Sequence, residues 1–195
     1  MLFYMSVLPQ EKYYTYEEWS KLEWNPEVRA ELINGQIVMM AAPATRHQIV
    51  EGEIFTEFNI YLRGKKCRVF SGLGVKIGKD TELIPDIVVI CDPDKITERG
   101  CDGAPNLVIE ILSPSSRKRD KLTKFDIYLK TGVPEYWIVD PGDKTVTTHR
   151  LLENVYTTAY FGEEDKIPVS CLPGFELDLS LVFQSIEAEF KEETF

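Results

Sequence analysis

The stretch Asn106–Ser116 reads NLVIEILSPSS and places one glutamate, Glu110, inside a run that otherwise has the composition of a buried strand. Apolar residues of high β propensity flank this glutamate on both sides. An unpaired charge buried in this way would cost several kcal/mol. The sequence therefore predicts a buried strand that carries a carboxylate, with the compensating groups supplied from elsewhere in the chain.

A second acid interrupts another strongly apolar stretch, LIPDIVVI (83–90), in which Asp86 follows Pro85. If the two stretches form neighbouring strands, Asp86 and Glu110 can converge on one divalent cation, which would hold two negative charges close together. Mg²⁺ or Mn²⁺ is the expected ion, because the donors are hard oxygens. Either acid alone could instead cap a loop or pair with an arginine.

Turn signals and hydrophobic periodicity divide the rest of the chain into helices and strands. A capping box that starts at Thr15 predicts a short helix, Asn34-Gly35 predicts a hairpin, and helical spacing predicts helices over Arg46–Leu62 and Ser116–Lys130. The predicted strands outside the hairpin are CRVF (67–70), GVKIG (74–78), LIPDIVVI (83–90), LVIEILS (107–113), EYWIVD (135–140) and KTVTTHRLL (144–152). These elements predict a mixed α/β (α+β) fold in which helices flank one curved, mixed sheet.

Length and composition predict one globular domain over residues 1–195, since the chain is 44% hydrophobic and 28% charged. No apolar run approaches the roughly 20 residues of a membrane span, and the N-terminus lacks the features of a signal peptide. We therefore expect a cytoplasmic protein with no membrane partner.

The four cysteines form no CxxC pair and are expected to be reduced, and two histidines argue against a zinc site.

The net charge of −10 argues against nucleic acid as a partner, but the charge is unevenly distributed. The C-terminal extension (161–195) holds nine acids and two lysines, which leaves only −3 for residues 1–160. Within that larger part, RKRDKLTKFDIYLK (117–130) has six basic residues against two acids, and RGKKCR (63–68) is a further basic cluster. Such runs are either solvated helix faces or surfaces for a phosphate backbone.

The motifs around both acids resemble the PD-(D/E)XK nuclease superfamily. More closely, ELINGQIV, His47, IPDIVVI, LVIEILSPSS, the series Asp120, Lys124 and Tyr128, and GVPEYWIVD resemble in order a restriction endonuclease family first catalogued as a domain of unknown function. The resemblance runs from about residue 14 to residue 151. It implies a restriction-endonuclease-like core and metal-dependent nuclease activity.

One position departs from the superfamily pattern. Residues i and i+2 of a strand share a face, so the residue two after Glu110 should be the catalytic lysine, yet it is Leu112. Asp120, Lys124 and Tyr128 form one stripe on the following helix. The resemblance implies that Lys124 is the migrated lysine, whereas the sequence alone favours a surface ion pair between Lys124 and Asp120.

Three further residues complete the predicted site. The resemblance places Glu31 near the carboxylate pair as an accessory acid, although a charge at a strand edge is the alternative. His47, in the first turn of a predicted helix, could contact phosphate or transfer a proton, or could be an ordinary surface histidine. The backbone carbonyl of Ile111 is expected to assist Asp86 and Glu110 in holding the metal.

The preferred hypothesis is hydrolysis of DNA phosphodiester bonds with Mg²⁺ or Mn²⁺, in which Arg117, Lys118, Arg119 and Lys121 contact the DNA backbone. A homodimer is expected, because a one-site domain needs two copies to cut both strands. One alternative is a nuclease-derived module that binds nucleic acid or a protein without cutting. Another is a hydrolase that uses two carboxylates without metal.

Overall fold

Within the part of the chain that the structure describes, the strands form two six-stranded sheets and one two-stranded sheet. The computed structural model describes residues 12–23, 28–114 and 116–189. The mixed α/β fold class is confirmed. The prediction of one sheet is wrong, because the short strands that follow the hairpin join the hairpin in a sheet of their own and do not pair with the long apolar strands. Residues 190–195 of the acidic extension and the N-terminal segment 1–11 lie outside the described residues.

The first six-stranded sheet, called the central sheet, contains the most apolar strands. In spatial order its strands are β12 (Val155–Phe161), β11 (Thr145–Leu152), β10 (Glu135–Asp140), β9 (Leu107–Ile111), β6 (Ile87–Ile90) and β3 (Arg68–Ser71). Strands β9 and β10 run parallel, and the other neighbours run antiparallel. Both faces of this sheet are covered, which explains its near-continuous apolar sequences.

The second six-stranded sheet, called the outer sheet, contains the predicted hairpin. Its strands are β2 (Gln36–Met39), β1 (Ala30–Ile33), β5 (Thr81–Leu83), β4 (Val75–Ile77), β8 (Gly100–Asp102) and β7 (Ile96–Thr97). Asn34 and Gly35 both have positive φ, as a two-residue hairpin turn requires. The hairpin predicted from Asn34-Gly35 is thus confirmed.

The helices cover the sheets from different sides. They are α1 (Tyr16–Trp19), α2 (Thr45–Leu62), a π-helical segment (Arg119–Lys124) that continues into α3 (Phe125–Lys130), and α4 (Leu179–Glu189). A 3₁₀ turn (Pro93–Lys95) and the two-stranded sheet of β13 (Lys166–Pro168) and β14 (Glu176–Asp178) complete the described elements. Among the described residues, no helix is both long and apolar enough to cross a membrane.

Two core clusters lie on opposite faces of the central sheet. Helices α2 and α4 and the two-stranded sheet cover one face, whereas α3 and the outer sheet cover the other. Strand β9 and the residue after it contribute to both clusters by alternation: Ile109 and Ile111 face α2, while Val108 and Leu112 face α3. Glu110 therefore lies between Val108 and Leu112 on the α3 face.

Asp86 lies at a break between the two six-stranded sheets. The predicted strand over LIPDIVVI (83–90) is divided at 84–86, since β5 ends at Leu83 in the outer sheet and β6 begins at Ile87 in the central sheet. Pro85 lacks the N–H that would continue a ladder through this point. Because Ile87 pairs with Ile109 of β9, the residue before β6 lies beside Glu110. The prediction that these strands are neighbours is confirmed.

Two of the four cysteines are joined, so the expectation of four reduced thiols is wrong. Cys67 and Cys91 form a disulfide, while Cys101 and Cys171 are free. The antiparallel pairing of β3 with β6 sets Arg68 opposite Ile90, which brings the two flanking cysteines together. Their separation of 24 residues gives no such signal in the sequence.

Candidate active site

A cavity of about 340 Å³ opens where the start of β6 and the end of β9 meet α2 and the π-helical segment. Acidic side chains dominate its interior, and two arginines lie at its wall. The lining residues used below are Arg29, His47, Glu51, Ser71, Asp86, Glu110, Ile111, Arg119, Asp120 and Lys124. The cavity therefore brings together acids from four separate stretches of the chain.

Lys124 is the positive charge that compensates Glu110. Its Nζ lies 2.8 Å from Glu110 Oε1, 2.8 Å from Glu31 Oε1 and 3.7 Å from Asp120 Oδ1. All four side chains are buried. Lys124 is thus not the partner in a surface pair with Asp120, which was the interpretation favoured by the sequence alone.

Negative charge still exceeds positive charge around Glu110. Burial raises the pKa of Glu110 well above its usual range, Lys124 lowers it, and the neighbouring carboxylates raise it further. Burial alone would lower the pKa of Lys124, but Glu110, Glu31 and Asp120 raise it, so its ammonium stays protonated. Tyr128 also donates a hydrogen bond to Glu110 Oε1 over 2.9 Å. Lys124 and Tyr128 both donate to Oε1 of Glu110, so Oε2 of Glu110 takes no part in these two contacts.

Glu31 lies in the interior of the outer sheet, so the alternative of a charge at a strand edge is wrong. Its side chain is fully buried, and the backbone N–H of Ile84 donates to Oε1 over 2.9 Å. Its Oε2 has no hydrogen-bond donor among the described residues, and Arg119 Nε is 4.0 Å away. Lys124 links Glu31 to Glu110, in agreement with the placement that the resemblance implied.

Asp86 is held by a backbone amide and a histidine. The N–H of Ile111 donates to Asp86 Oδ2 over 2.6 Å, and His47 Nε2 lies 3.2 Å from the same oxygen. The contact from Ile111 thus involves its amide, while a role for its carbonyl as a metal ligand stays a prediction.

His47 is buried and lies between two acids, so the alternative of an ordinary surface histidine is wrong. Its side chain is 9% exposed, and Nδ1 is 3.7 Å from Glu51 Oε2. Burial lowers the pKa of His47, but its hydrogen bond to Asp86 and the charges of Asp86, Glu51 and Asp120 raise it overall. Sequence reasoning missed Glu51, although its position one turn after His47 on α2 was a usable signal.

The four basic residues expected to contact DNA do not form one cluster in the cavity. Among them Arg119 lines the cavity, whereas Lys118 and Lys121 are exposed. Arg117 Nη1 forms an ion pair with Asp140 Oδ2 at 2.6 Å, and its side chain is 47% exposed. Contact between these residues and DNA stays a prediction.

The residues of the cavity fit a divalent cation. Asp86, Glu110 and Asp120 line the cavity, and a buried oxygen of Asp120 has no hydrogen-bond partner among the described residues. Glu31, which contacts Lys124 but does not line the cavity, carries a second such oxygen. Hard oxygen donors with incomplete hydrogen bonding are a suitable environment for such an ion. His47, Glu51 and Asp86 form a further group of possible ligands.

The chain is similar in sequence to a known family and to two proteins of Synechocystis sp.. The family Uma2, described as "Putative restriction endonuclease", matches residues 13–180. An uncharacterized protein of Synechocystis sp. is 31% identical over 114 residues, which cover 57% of this chain and 60% of that protein, less than two thirds of its length. A second uncharacterized Synechocystis protein is 25% identical over 141 residues, or 70% of this chain and 80% of that protein.

A solved structure also shares the fold. The crystal structure of a "putative nuclease belonging to DUF820" from Anabaena variabilis matches with a TM-score of 0.75 and 26% identity, over 89% of this chain and 99% of that one. The expected restriction-endonuclease-like core is therefore confirmed. Since the family match includes both acids, the lysine and most of each sheet, the chain belongs to the Uma2 family.

Proposed function

We propose that this protein is a Mg²⁺- or Mn²⁺-dependent nuclease that hydrolyses DNA phosphodiester bonds. The observation that carries the proposal is the buried contact of 2.8 Å between Lys124 Nζ and Glu110, in a cavity that also exposes Asp86. Lys124 thus places an amine beside Glu110, where the superfamily pattern expects one from the position of Leu112. The family and the structural neighbour support a nuclease as the coarser assignment.

Each residue has a distinct task in this mechanism. Asp86 and Glu110, assisted by the carbonyl of Ile111, would hold the cation. When bound, the cation would lower the pKa of a water and neutralise charge in the transition state. Lys124, whose ammonium stays protonated, orients the water and stabilises the developing charge on the phosphoryl oxygens. Glu31 acts as the accessory acid that keeps Lys124 in place.

Hydrolysis forms a bond from water oxygen to phosphorus and breaks one bond from phosphorus to a sugar oxygen, which leaves as a hydroxyl with a proton taken from solvent. His47 contacts Asp86 and lines the cavity, so it can accept a proton from the water or contact a phosphate oxygen. Arg119 lies at the same wall and can pair with a phosphate. Arg117, Lys118 and Lys121 would contact the backbone further from the scissile bond.

Cleavage of supercoiled plasmid by the purified protein tests this function. We expect nicking with Mg²⁺ or Mn²⁺, no nicking with excess chelator, and loss of nicking in Asp86→Asn and Glu110→Gln. Asp126→Asn is the matched control, because Asp126 is exposed and its ion pair with Lys130 is a surface contact. Nicking that persists in both active-site variants would show a contaminating enzyme, and nicking that survives chelation would favour the metal-free hydrolase.

A module that binds DNA without cutting it is the second candidate. Lys124 is held by three carboxylates, and the position where the superfamily carries lysine is a buried leucine, Leu112. Metal binding and DNA binding by a wild-type protein that nicks no plasmid would establish this candidate.

We also propose that the protein acts as a homodimer in the cytoplasm. Two copies of the proposed site, related by symmetry, would cut both strands of a duplex. Sedimentation at working concentration tests the oligomeric state. A monomeric mass that does not change when duplex DNA is added would contradict the dimer.

A further inference from the structure

Three possible metal ligands meet where α2 approaches the start of β6. His47 and Glu51 lie one turn apart on α2, and Asp86 contacts His47 from the break between β5 and β6. One ring nitrogen of His47 and one carboxylate oxygen from each acid lie within 4.8 Å of one another. This group extends from Asp86 toward α2, whereas Lys124 forms its ion pairs with Glu31, Glu110 and Asp120.

The imidazole of His47 carries a buried atom that lacks a hydrogen bond. Nδ1 has no hydrogen-bond partner among the described residues, and its distance of 3.7 Å to Glu51 Oε2 is too long for one. The side chain is 9% exposed, so solvent reaches little of it. A buried polar atom left unpaired is costly unless a ligand from outside the chain binds there.

The two acids are positioned so that each presents a carboxylate to the histidine. Ser71 Oγ donates to Glu51 Oε1 over 2.5 Å, which fixes the carboxylate with Oε2 toward His47. Asp86 is fixed by the amide of Ile111 through Oδ2. All three ligand side chains line the 340 Å³ cavity, so an ion can enter from solvent.

We propose that His47, Glu51 and Asp86 form a second cation site, selective for a first-row transition ion such as Mn²⁺ or Zn²⁺ over Mg²⁺. An imidazole ligand favours transition ions, while Mg²⁺ favours oxygen ligands and retained water. The proposal rests on the proposed function in one respect, because Asp86 is shared with the site formed by Asp86 and Glu110. The new ligand is Glu51, and its binding role does not depend on cleavage.

Calorimetric titration with Mn²⁺ tests the contribution of Glu51. We expect Glu51→Gln to weaken binding at one site by roughly tenfold or more, because it removes a charged ligand while it keeps an acceptor for Ser71. Glu57→Gln is the matched control, since Glu57 is on the same helix and does not line the cavity. Thermal unfolding of both variants checks that they are folded. Equal Mn²⁺ affinity in wild type and Glu51→Gln would overturn the proposal.

Nuclear magnetic resonance of the histidine rings tests direct coordination. The chain contains only two histidines, so the spectrum has an internal control: His149 contacts Phe125, Tyr136 and Tyr156, away from this group. Titration with Zn²⁺ should produce a ¹⁵N coordination shift at His47 and leave the His149 nitrogens unchanged. His47→Asn identifies the signal by its loss. A His47 signal that Zn²⁺ does not shift would overturn the proposal.

The two tests separate this site from the nuclease activity. If Zn²⁺ shifts His47 and Glu51→Gln weakens Mn²⁺ binding while wild type cuts no plasmid, the cation site stands and the proposed nuclease function fails. If wild type cuts plasmid and Glu51→Gln changes neither metal affinity nor the histidine spectrum, the function stands and the second site fails.

Discussion

At the scale of single residues, the site depends on one ammonium group among several acids. Glu31, Glu110 and Asp120 approach Lys124 from strands of two sheets and from its own helix. The burial of Glu110 was predictable from NLVIEILSPSS, because apolar neighbours surround it. Its partner was not predictable from the residues alone, since a contact between β9 and a helix fourteen residues later depends on tertiary packing.

Replacement of Lys124 by methionine should be strongly destabilising and should abolish cleavage. The variant leaves buried carboxylates without their counter-ion, which costs about 3 to 5 kcal/mol of unfolding free energy. Urea unfolding at pH 7 measures the loss, and Lys130→Met is the control, because Lys130 forms an exposed pair on α3. Addition of Glu110→Gln to Lys124→Met should restore part of the stability. Equal stability of Lys124→Met and Lys130→Met would contradict the inference that Lys124 is the counter-ion of the buried carboxylates.

His149 should make the protein less stable in acid. Burial lowers the pKa of His149 to about 4, below its unfolded value of about 6.5. Between these values the unfolded chain binds a proton that the folded chain does not, so stability is full above about pH 6.5 and falls as the pH drops toward 4. His149→Gln should reduce the loss between pH 7 and 4.5 by on the order of 1 kcal/mol. Urea unfolding at both pH values measures this, and an unchanged pH dependence would contradict it.

At the scale of elements, the sequence predicted where most helices and strands lie but not how the site helix is wound. The capping box at Thr15 and the hairpin at Asn34-Gly35 appear as expected, because local hydrogen bonds and backbone conformation determine them. The six residues Arg119–Lys124 adopt a π-helix, which is frequent at functional sites and has no clear sequence signal. A π-helix has more residues per turn than an α-helix. Residues four apart, such as Asp120 and Lys124, therefore lie more nearly on the same side of the helix.

Helix α2 should become more stable when Gly52 is replaced by alanine. A Cβ at Gly52 meets nothing within 4 Å, and alanine is favoured over glycine in a helix by about 0.5 to 1 kcal/mol. Gly100→Ala is the contrasting variant, because Gly100 has φ +147° and its Cβ would lie 2.2 Å from the carbonyl oxygen of Gly74. Thermal unfolding should show a rise of a few degrees for Gly52→Ala and a fall for Gly100→Ala. A lower melting temperature for Gly52→Ala would contradict the geometry of α2.

At the scale of the whole molecule, the central sheet separates two cores, and the site forms at the end where the outer sheet meets it. Alternation along a strand predicted which residues share a face but could not assign strands to two sheets, because short strands of similar composition can pair in either. The disulfide between Cys67 and Cys91 was also missed, because it depends on the pairing of β3 with β6. The cytoplasmic location stays a prediction, and the disulfide weighs against it, since such bonds are rare in reducing compartments.

Reduction of the disulfide between Cys67 and Cys91 should lower the free energy of unfolding. The bond closes a loop across a separation of 24 residues, for which the loss is about 2 to 4 kcal/mol. Unfolding in urea with and without reductant measures the difference. Cys67→Ser/Cys91→Ser should be insensitive to reductant, whereas Cys171→Ser should remain sensitive. Equal stability of the wild type in both conditions would contradict a disulfide between these residues in the folded protein.

The position of Lys124 has a consequence for how such sites can change. In the strand pattern of the superfamily, the amine and one acid are two residues apart, so neither can move without the other. Here Glu110 belongs to a central strand and Lys124 to a short helical segment on the surface of the sheet. The distance between the two groups is therefore set by the packing of the segment on the sheet and not by the spacing of residues along one strand.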